Sequence, residues 1–172
     1  MKRWLALLPL LALAGLAVLF AGYALHHDPH VNPAALVGRP VPVVSLQPLQ
    51  GGSPVDVAGA PRPVLVNFFA SWCAPCVEEA PALMALKAEG VPVVGVAYKD
   101  KPEKSQAFLR DNGDPYRATL LDPDGRAGVE FGISGVPETF AISANGVVLA
   151  KHVGPLTPDA AEALVERAAG RR

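Results

Sequence analysis

Cysteine is scarce in this chain of 172 residues, which contains only Cys73 and Cys76. A structural zinc site takes four ligands, and no second C-x-x-C pair or histidine pair lies near these two residues. A disulfide across a C-x-x-C spacing also closes too small a ring to stabilise a fold through loop closure. The pair is therefore predicted to carry reversible thiol–disulfide chemistry. We expect no metal and no cofactor besides a redox-active Cys73–Cys76 disulfide.

Clustered positive charge is also lacking. The formal net charge is −1, and no basic run occurs outside the extreme ends of the chain. Nucleic acid is therefore not expected as a partner. The sequence contains no internal repeat, and its length after the first 38 residues fits one domain.

The N-terminal segment contains the only long hydrophobic run. Lys2 and Arg3 precede an uncharged stretch from Trp4 to Leu25, which would be about 33 Å long as an α-helix and could cross a bilayer. The positive flank predicts a single-pass anchor over residues 1–25, with the rest of the chain exported. A cleaved signal peptide is the alternative, although the run is long for one and no clean cleavage site follows.

A short polar segment, residues 26–38, follows the apolar run and is predicted to be a linker. It contains His26, His27 and His30, which we interpret as solvated linker residues because no cysteine or rigid element supports a metal site there. Residues 39–172 then form the exported domain. With either an anchor or a signal peptide, the cysteine pair lies on the exported side, where an oxidising compartment favours a working redox pair.

The exported domain shows alternating strand and helix patterns. A buried strand leads into the cysteine motif, a helix follows it, and Asn145-Gly146 predicts a hairpin near the end. Strand–helix–strand alternation predicts parallel strands, and the hairpin adds antiparallel ones. The expected fold is an α/β sandwich with a mixed central sheet and helices on both faces. The predicted strands are residues 64–70, 91–97, 119–121, 139–143 and 147–152, and residues 41–46 are expected to form an edge strand or an extended arm. The predicted helices are residues 74–88, 102–111, 126–131 and 158–169.

Four local features together resemble the thioredoxin fold. They are the strand before W-C-A-P-C, Pro81 after the second cysteine, Gly135-Val136-Pro137, and the hairpin that follows. The segments 95–100 and 135–140, taken with the N-terminal hydrophobic run, resemble the membrane-anchored cytochrome c biogenesis thioredoxins of the CcmG/DsbE type. The resemblance extends from about Leu36 to Arg167. Val77 departs from it, because relatives often carry arginine after the second cysteine.

This resemblance implies a periplasmic thiol:disulfide oxidoreductase at the inner membrane. Its role would be to keep the C-x-x-C-H thiols of apocytochrome c, or of a maturation partner, reduced for haem attachment. Electrons would come from a membrane thiol transporter of the DsbD or CcdA kind. The expected partners are therefore apocytochrome c or a cytochrome c maturation protein, and that electron donor.

Cys73 and Cys76 receive distinct roles. Cys73 is expected at a helix N-terminus, where the macrodipole and free N–H groups favour a thiolate, and we expect it to face solvent and attack the substrate. Cys76, one turn further on, would resolve the mixed disulfide. Trp72 is expected to cover the edge of the site and contact the substrate, or simply to pack there.

The remaining site residues come from the resemblance. Glu79 and Glu138 are expected near the cysteine pair, where a buried carboxylate would disfavour the thiolate or accept the proton of Cys76. Pro137 is expected to follow a cis peptide bond and to face Cys73. Gly135 and Val136 would bind an extended substrate segment by strand addition.

Three other functions share part of this evidence. A general periplasmic disulfide reductase of the TlpA type has the same fold and motif, and a non-catalytic holdase could bind apocytochrome through the same groove. An oxidase of the DsbA class is disfavoured, because Ala74-Pro75 supplies no charge between the cysteines to stabilise a thiolate.

Overall fold

The computed structural model describes residues 8–26, 36–59 and 64–170. The chain divides into two compact units, Met1–Val31 and Asn32–Arg172. In the first unit, helix α1 spans Leu8–His26. The predicted membrane-spanning helix is not confirmed, because the described residues contain no helix that is both long enough and apolar enough to span a bilayer. Most of the predicted linker lies outside the described residues.

The described part of the second unit contains one sheet of seven strands. The strands are β1 (Ser45–Pro48), β2 (Val55–Asp56), β3 (Val64–Phe69), β4 (Val93–Tyr98), β5 (Ala118–Asp122), β6 (Glu138–Ile142) and β7 (Val148–Val153). Their order across the sheet is β2-β1-β5-β4-β3-β6-β7. Strands β3, β4 and β5 run parallel, and the remaining pairs are antiparallel. The predicted mixed sheet is thus confirmed.

Among the described residues of this unit there are four α-helices, α2 (Ala74–Ala88), α3 (Pro102–Asn112), α4 (Arg126–Phe131) and α5 (Pro158–Ala168), and a short 3-10 helix (Val57–Gly59). Helix α2 has the predicted bounds, and Pro81 lies inside it. Thr157 caps α5, its hydroxyl accepting the N–H of Ala160 at 3.2 Å, as an N-cap threonine is expected to do.

The N-terminal edge of the sheet differs from the prediction. Residues 41–46 were expected as an edge strand or an extended arm, and the strand begins only at Ser45, because Pro40 and Pro42 lack the N–H that a strand ladder needs. Strand β1 also lies between β2 and β5 and is therefore not an edge strand. Before Ser45 the chain is held by an isolated bridge between Pro40 and Val147. Strand β2 was not predicted, since two residues are too few to show an alternating pattern.

Two apolar cores cover the two faces of the sheet, and β3 is buried on both. Its odd-numbered residues Leu65 and Phe69 share one core with Cys73 and Cys76 and with residues of α2, α3 and α5. Its even-numbered residues share the other core with α4 and β6. Helices therefore flank both faces, and the cysteine pair belongs to the face that α2 and α5 cover.

One close approach on the cysteine-pair face requires glycine. Gly95 lies in the middle of β4, opposite Asn67 of β3, and the ring of Tyr116 occupies the space that a side chain would take. A Cβ added at Gly95 would lie 2.6 Å from the Tyr116 ring, well inside van der Waals contact.

We therefore expect Gly95→Ala to lower the free energy of unfolding by about 1–3 kcal/mol, the usual cost of overpacking a core. Gly59→Ala is the control, because its Cβ would come no closer than 3.9 Å to another residue. Denaturant unfolding measures both. Equal, small effects of the two substitutions would contradict the predicted clash with Tyr116.

Candidate active site

The cysteine pair occupies the start of α2. Cys73 and Cys76 form a disulfide with Cα atoms 5.3 Å apart. Cys73 is the N-cap of the helix, and its Sγ accepts a hydrogen bond from the backbone N–H of Cys76 at 3.2 Å. In the reduced protein this N–H and the helix dipole would favour negative charge on the Cys73 sulfur. The geometry therefore agrees with Cys73 as the attacking cysteine, a role that stays a prediction.

Exposure does not separate the two cysteines as predicted. Cys73 is 4% exposed and Cys76 is 2% exposed, so the expectation that Cys73 faces solvent is wrong. Both belong to one buried apolar core, which leaves little of either sulfur accessible in the oxidised protein. The difference between them lies in the helix N-terminus, which the Cys73 side chain caps.

Trp72 lies beside the pair with 60% of its surface exposed. Its indole N–H donates to the backbone carbonyl of Lys99 at 3.3 Å, which links the cysteine turn to the residue after β4. The ring is thus a large, mostly exposed apolar surface next to Cys73. It is therefore available to contact a substrate.

Asp100 fixes the turn that precedes the pair, a role that was not predicted. Its carboxylate accepts the backbone N–H and the hydroxyl of Ser71, both at 2.8 Å. It also accepts the N–H of Lys101 and the hydroxyl of Ser105, again at 2.8 Å. An aspartate just before Pro102 signals a helix start, but no local pattern signals a bond to Ser71.

Glu79 is buried on the same helix, three residues after Cys76, where side chains share a face. Its Oε1 accepts the Asn67 Nδ2–H at 3.0 Å, and its Oε2 accepts the Leu156 N–H at 3.1 Å. Burial raises the pKa of Glu79 from 4.5 to about 7, although these two hydrogen bonds act to lower it. Such a carboxyl can exchange a proton near neutral pH.

Asn67 is fully satisfied within β3. Besides Glu79, its Nδ2 donates to the Thr139 hydroxyl at 2.9 Å, and its Oδ1 accepts the Tyr116 hydroxyl at 2.7 Å. Burial, followed by the nearby carboxylates of Glu79 and Asp114, holds the pKa of Tyr116 well above its usual range. The Tyr116 hydroxyl therefore stays protonated and acts as a donor. Tyr116 was not anticipated, because it is far from Asn67 in sequence.

Glu138 does not join the pair, contrary to the prediction. Alternation along β6 places it on the same face as Phe140, whose core lies across the sheet from the cysteines. Its carboxylate forms an ion pair with Lys151 at 2.7 Å and accepts hydrogen bonds from the backbone and hydroxyl of Ser134. Glu138 is thus a paired group on the opposite face of the sheet.

The segment before Glu138 has the predicted backbone. The Val136–Pro137 peptide bond is cis, and the Pro137 carbonyl accepts the N–H of Gly154 at 2.9 Å. Val136 packs against the core that contains both cysteines. Within the described ranges, no residue hydrogen-bonds to the Val136 backbone, so its N–H and C=O are available to an added strand. A Cβ on Gly135 would meet only open space.

Comparisons with known proteins agree with this geometry. Residues 36–167 match the Redoxin family. The chain is 42% identical over 163 residues to the thiol:disulfide interchange protein HelX of Rhodobacter capsulatus, covering 92% of each chain. It is 38% identical over 165 residues to DsbE of Escherichia coli, covering 92% of this chain and 89% of that one. A crystal structure of a putative DsbE from Chlorobium tepidum matches 76% of this chain and 94% of its own, at 31% identity and a TM-score of 0.64.

The burial of Glu79 predicts a pH-dependent stability. Its pKa in the folded protein, about 7, exceeds its ordinary value of 4.5. Between these pH values the folded protein holds a proton that the unfolded chain has lost, so the free energy of unfolding falls as the pH rises. We expect this group to contribute a loss of about 3 kcal/mol across that window.

Glu79→Gln should remove that contribution. The free energy of unfolding of the oxidised variant should therefore rise relative to that of the wild type as the pH rises from 4.5 to 8. Guanidinium unfolding at several pH values measures the difference. Glu78→Gln, at the exposed neighbouring position, is the matched control and should run parallel to the wild type. If the difference in free energy of unfolding between Glu79→Gln and the wild type were the same at every pH, Glu79 would not titrate in this range.

Proposed function

This chain belongs to the Redoxin family, with the thiol:disulfide interchange proteins DsbE and HelX among its relatives, and we propose that it serves as a reductant in cytochrome c maturation. It is a thiol:disulfide oxidoreductase. The observation that carries the proposal is the arrangement at the start of α2, where the Cys73 sulfur accepts the Cys76 N–H and Glu79 lies buried one turn beyond Cys76.

The proposed reaction passes two electrons from the reduced pair to a substrate disulfide. The Cys73 thiolate attacks one substrate sulfur, and the other leaves as a thiolate that takes a proton from solvent. Cys76 then loses its proton to Glu79 and attacks Cys73, which releases the second substrate thiolate. That thiolate takes a proton from solvent, and Glu79 returns its own proton to solvent. The substrate ends as a dithiol, and the protein ends with the Cys73–Cys76 disulfide.

The surroundings of the pair favour a reductant. Residues Ala74 and Pro75 place no positive charge between the cysteines, and the Glu79 carboxyl, when ionised, disfavours a nearby thiolate. A pair whose thiolate is poorly stabilised gives up its electrons more readily. The electrons would be restored by a membrane thiol donor of the DsbD or CcdA kind.

The proposed substrate is the C-x-x-C-H segment of apocytochrome c, or a mixed disulfide with a maturation protein. Such a segment would bind in extended form by pairing with the free backbone groups of Val136. The exposed Trp72 ring would contact it on the side of the cysteine turn. The basic residues Lys2 and Arg3 before the apolar run support export of the domain to the periplasm.

We expect Cys76→Ser to accumulate mixed disulfides with its substrates, because a substrate joined to Cys73 can no longer be released by the second sulfur. Cys73→Ser is the control and should trap nothing. Non-reducing electrophoresis followed by mass spectrometry identifies what is captured. Trapping only by Cys73→Ser would reverse the two roles.

Substrate preference separates the proposal from a general reductase. The reduced protein should transfer electrons to an oxidised C-x-x-C-H peptide at least about tenfold faster than to insulin, a ratio that needs only about 1.4 kcal/mol of difference between the barriers. Stopped-flow fluorescence of Trp72 can follow both reactions. Equal rates would favour a general reductase of the TlpA type. Tight peptide binding without electron transfer by the wild type would favour a holdase.

A further inference from the structure

Tyr116 is a buried tyrosine that the proposed reaction does not use. Its ring stacks on Phe69 with the centroids 4.9 Å apart, and it lies over Gly95, whose missing side chain leaves room for it. The ring is therefore held between two neighbouring strands. Its hydroxyl points at the Oδ1 of Asn67, 2.7 Å away.

That hydrogen bond selects one orientation of the Asn67 amide. A tyrosine hydroxyl carries one proton, and an amide has one accepting oxygen and one donating nitrogen. With Oδ1 bound to Tyr116, both Nδ2 protons are directed at acceptors, namely Glu79 and Thr139. If the amide turned over, Oδ1 would meet the Glu79 oxygen and the bond from Tyr116 would be lost.

We propose that Tyr116 is a positioning residue, which holds the Asn67 amide with its Nδ2 toward Glu79 and so favours the carboxylate that accepts the Cys76 proton. This inference rests on the proposed role of Glu79. An N–H donor stabilises a carboxylate, whereas a turned amide would offer an oxygen that stabilises the protonated acid instead. Without Tyr116, the Asn67 amide is free to follow the protonation of Glu79.

The groups that surround Glu79 leave this amide as its principal polar neighbour. On β3 the neighbour is Asn67, on the segment before α5 it is the Leu156 N–H, and on α2 it is Cys76. Tyr116, with Asp114 close to it, provides the remaining titratable groups. His152 lies opposite Thr139 on β7. Among the described residues, Glu79 has no ion-pairing cation.

The test is the pKa of Glu79 in the oxidised full-length protein, measured from the ¹³C chemical shift of its carboxyl carbon against pH. Glu79→Gln assigns the resonance. Tyr116→Phe keeps the ring and removes the hydroxyl, and we expect it to raise the midpoint by about one pH unit, as loss of an oriented donor should. Tyr98→Phe removes a phenol from the other side of the sheet and should leave the midpoint unchanged.

Asn67→Leu tests whether the effect passes through the amide. This variant alone should raise the midpoint, and adding Tyr116→Phe to it should produce no further shift. An unchanged midpoint in Tyr116→Phe would overturn the proposal, and so would the same Tyr116→Phe shift in both backgrounds. In the wild type, the chemical shifts of the Asn67 Nδ2 protons should change with pH at the Glu79 midpoint. This measurement can be used if Tyr116→Phe fails to fold. A different midpoint for the Nδ2 protons would also overturn the proposal.

This measurement is independent of substrate. If Tyr116→Phe shifts the Glu79 midpoint but the C-x-x-C-H peptide is not preferred, the positioning role stands and the cytochrome-specific function fails. If the peptide is preferred but the midpoint does not move, the positioning role alone is overturned.

Discussion

A carboxylate enclosed in a protein core must either give up its charge or receive donors that sustain it. Glu79 is buried beside the cysteine pair, and its two donors come from different parts of the fold, Asn67 in β3 and the Leu156 N–H ahead of α5. They offset only part of the cost of burial, since the pKa still rises to about 7. The site therefore depends on α2 and α5 packing together against the central strand, β3.

A second set of hydrogen bonds holds the other end of the cysteine segment. Asp100, just after β4, accepts two hydrogen bonds from Ser71, while Glu79 joins the first turns of α2 to β3. The cysteines thus lie between two points that are each tied to the sheet. Both ties are made by buried carboxylates, but only Asp100 has four donors within 2.8 Å, so the two groups meet very different surroundings.

Local patterns were enough to predict the elements around the pair. The bounds of α2 and the cis bond before Pro137 agree with expectations drawn from neighbouring residues or from family resemblance. The features that were not predicted correctly depend on residues far apart in sequence. The bond from Tyr116 to Asn67 crosses 49 positions, and the burial of Cys73 results from a core assembled from several elements.

Glu79 and Glu138 show most clearly why the sequence could not predict the whole site. Glu79 and Glu138 are both buried glutamates beside site motifs, and a family pattern treats them alike. Strand alternation separates them, because Thr139 faces Asn67 and its neighbour Glu138 must then face away. Glu138 meets Lys151 there and forms an ion pair with it. Glu79 has amide donors instead of an ion-pairing cation among the described residues, so it can gain or lose a proton without stranding an opposite charge. Only the acid on the cysteine face is therefore suited to exchange a proton with Cys76 near neutral pH.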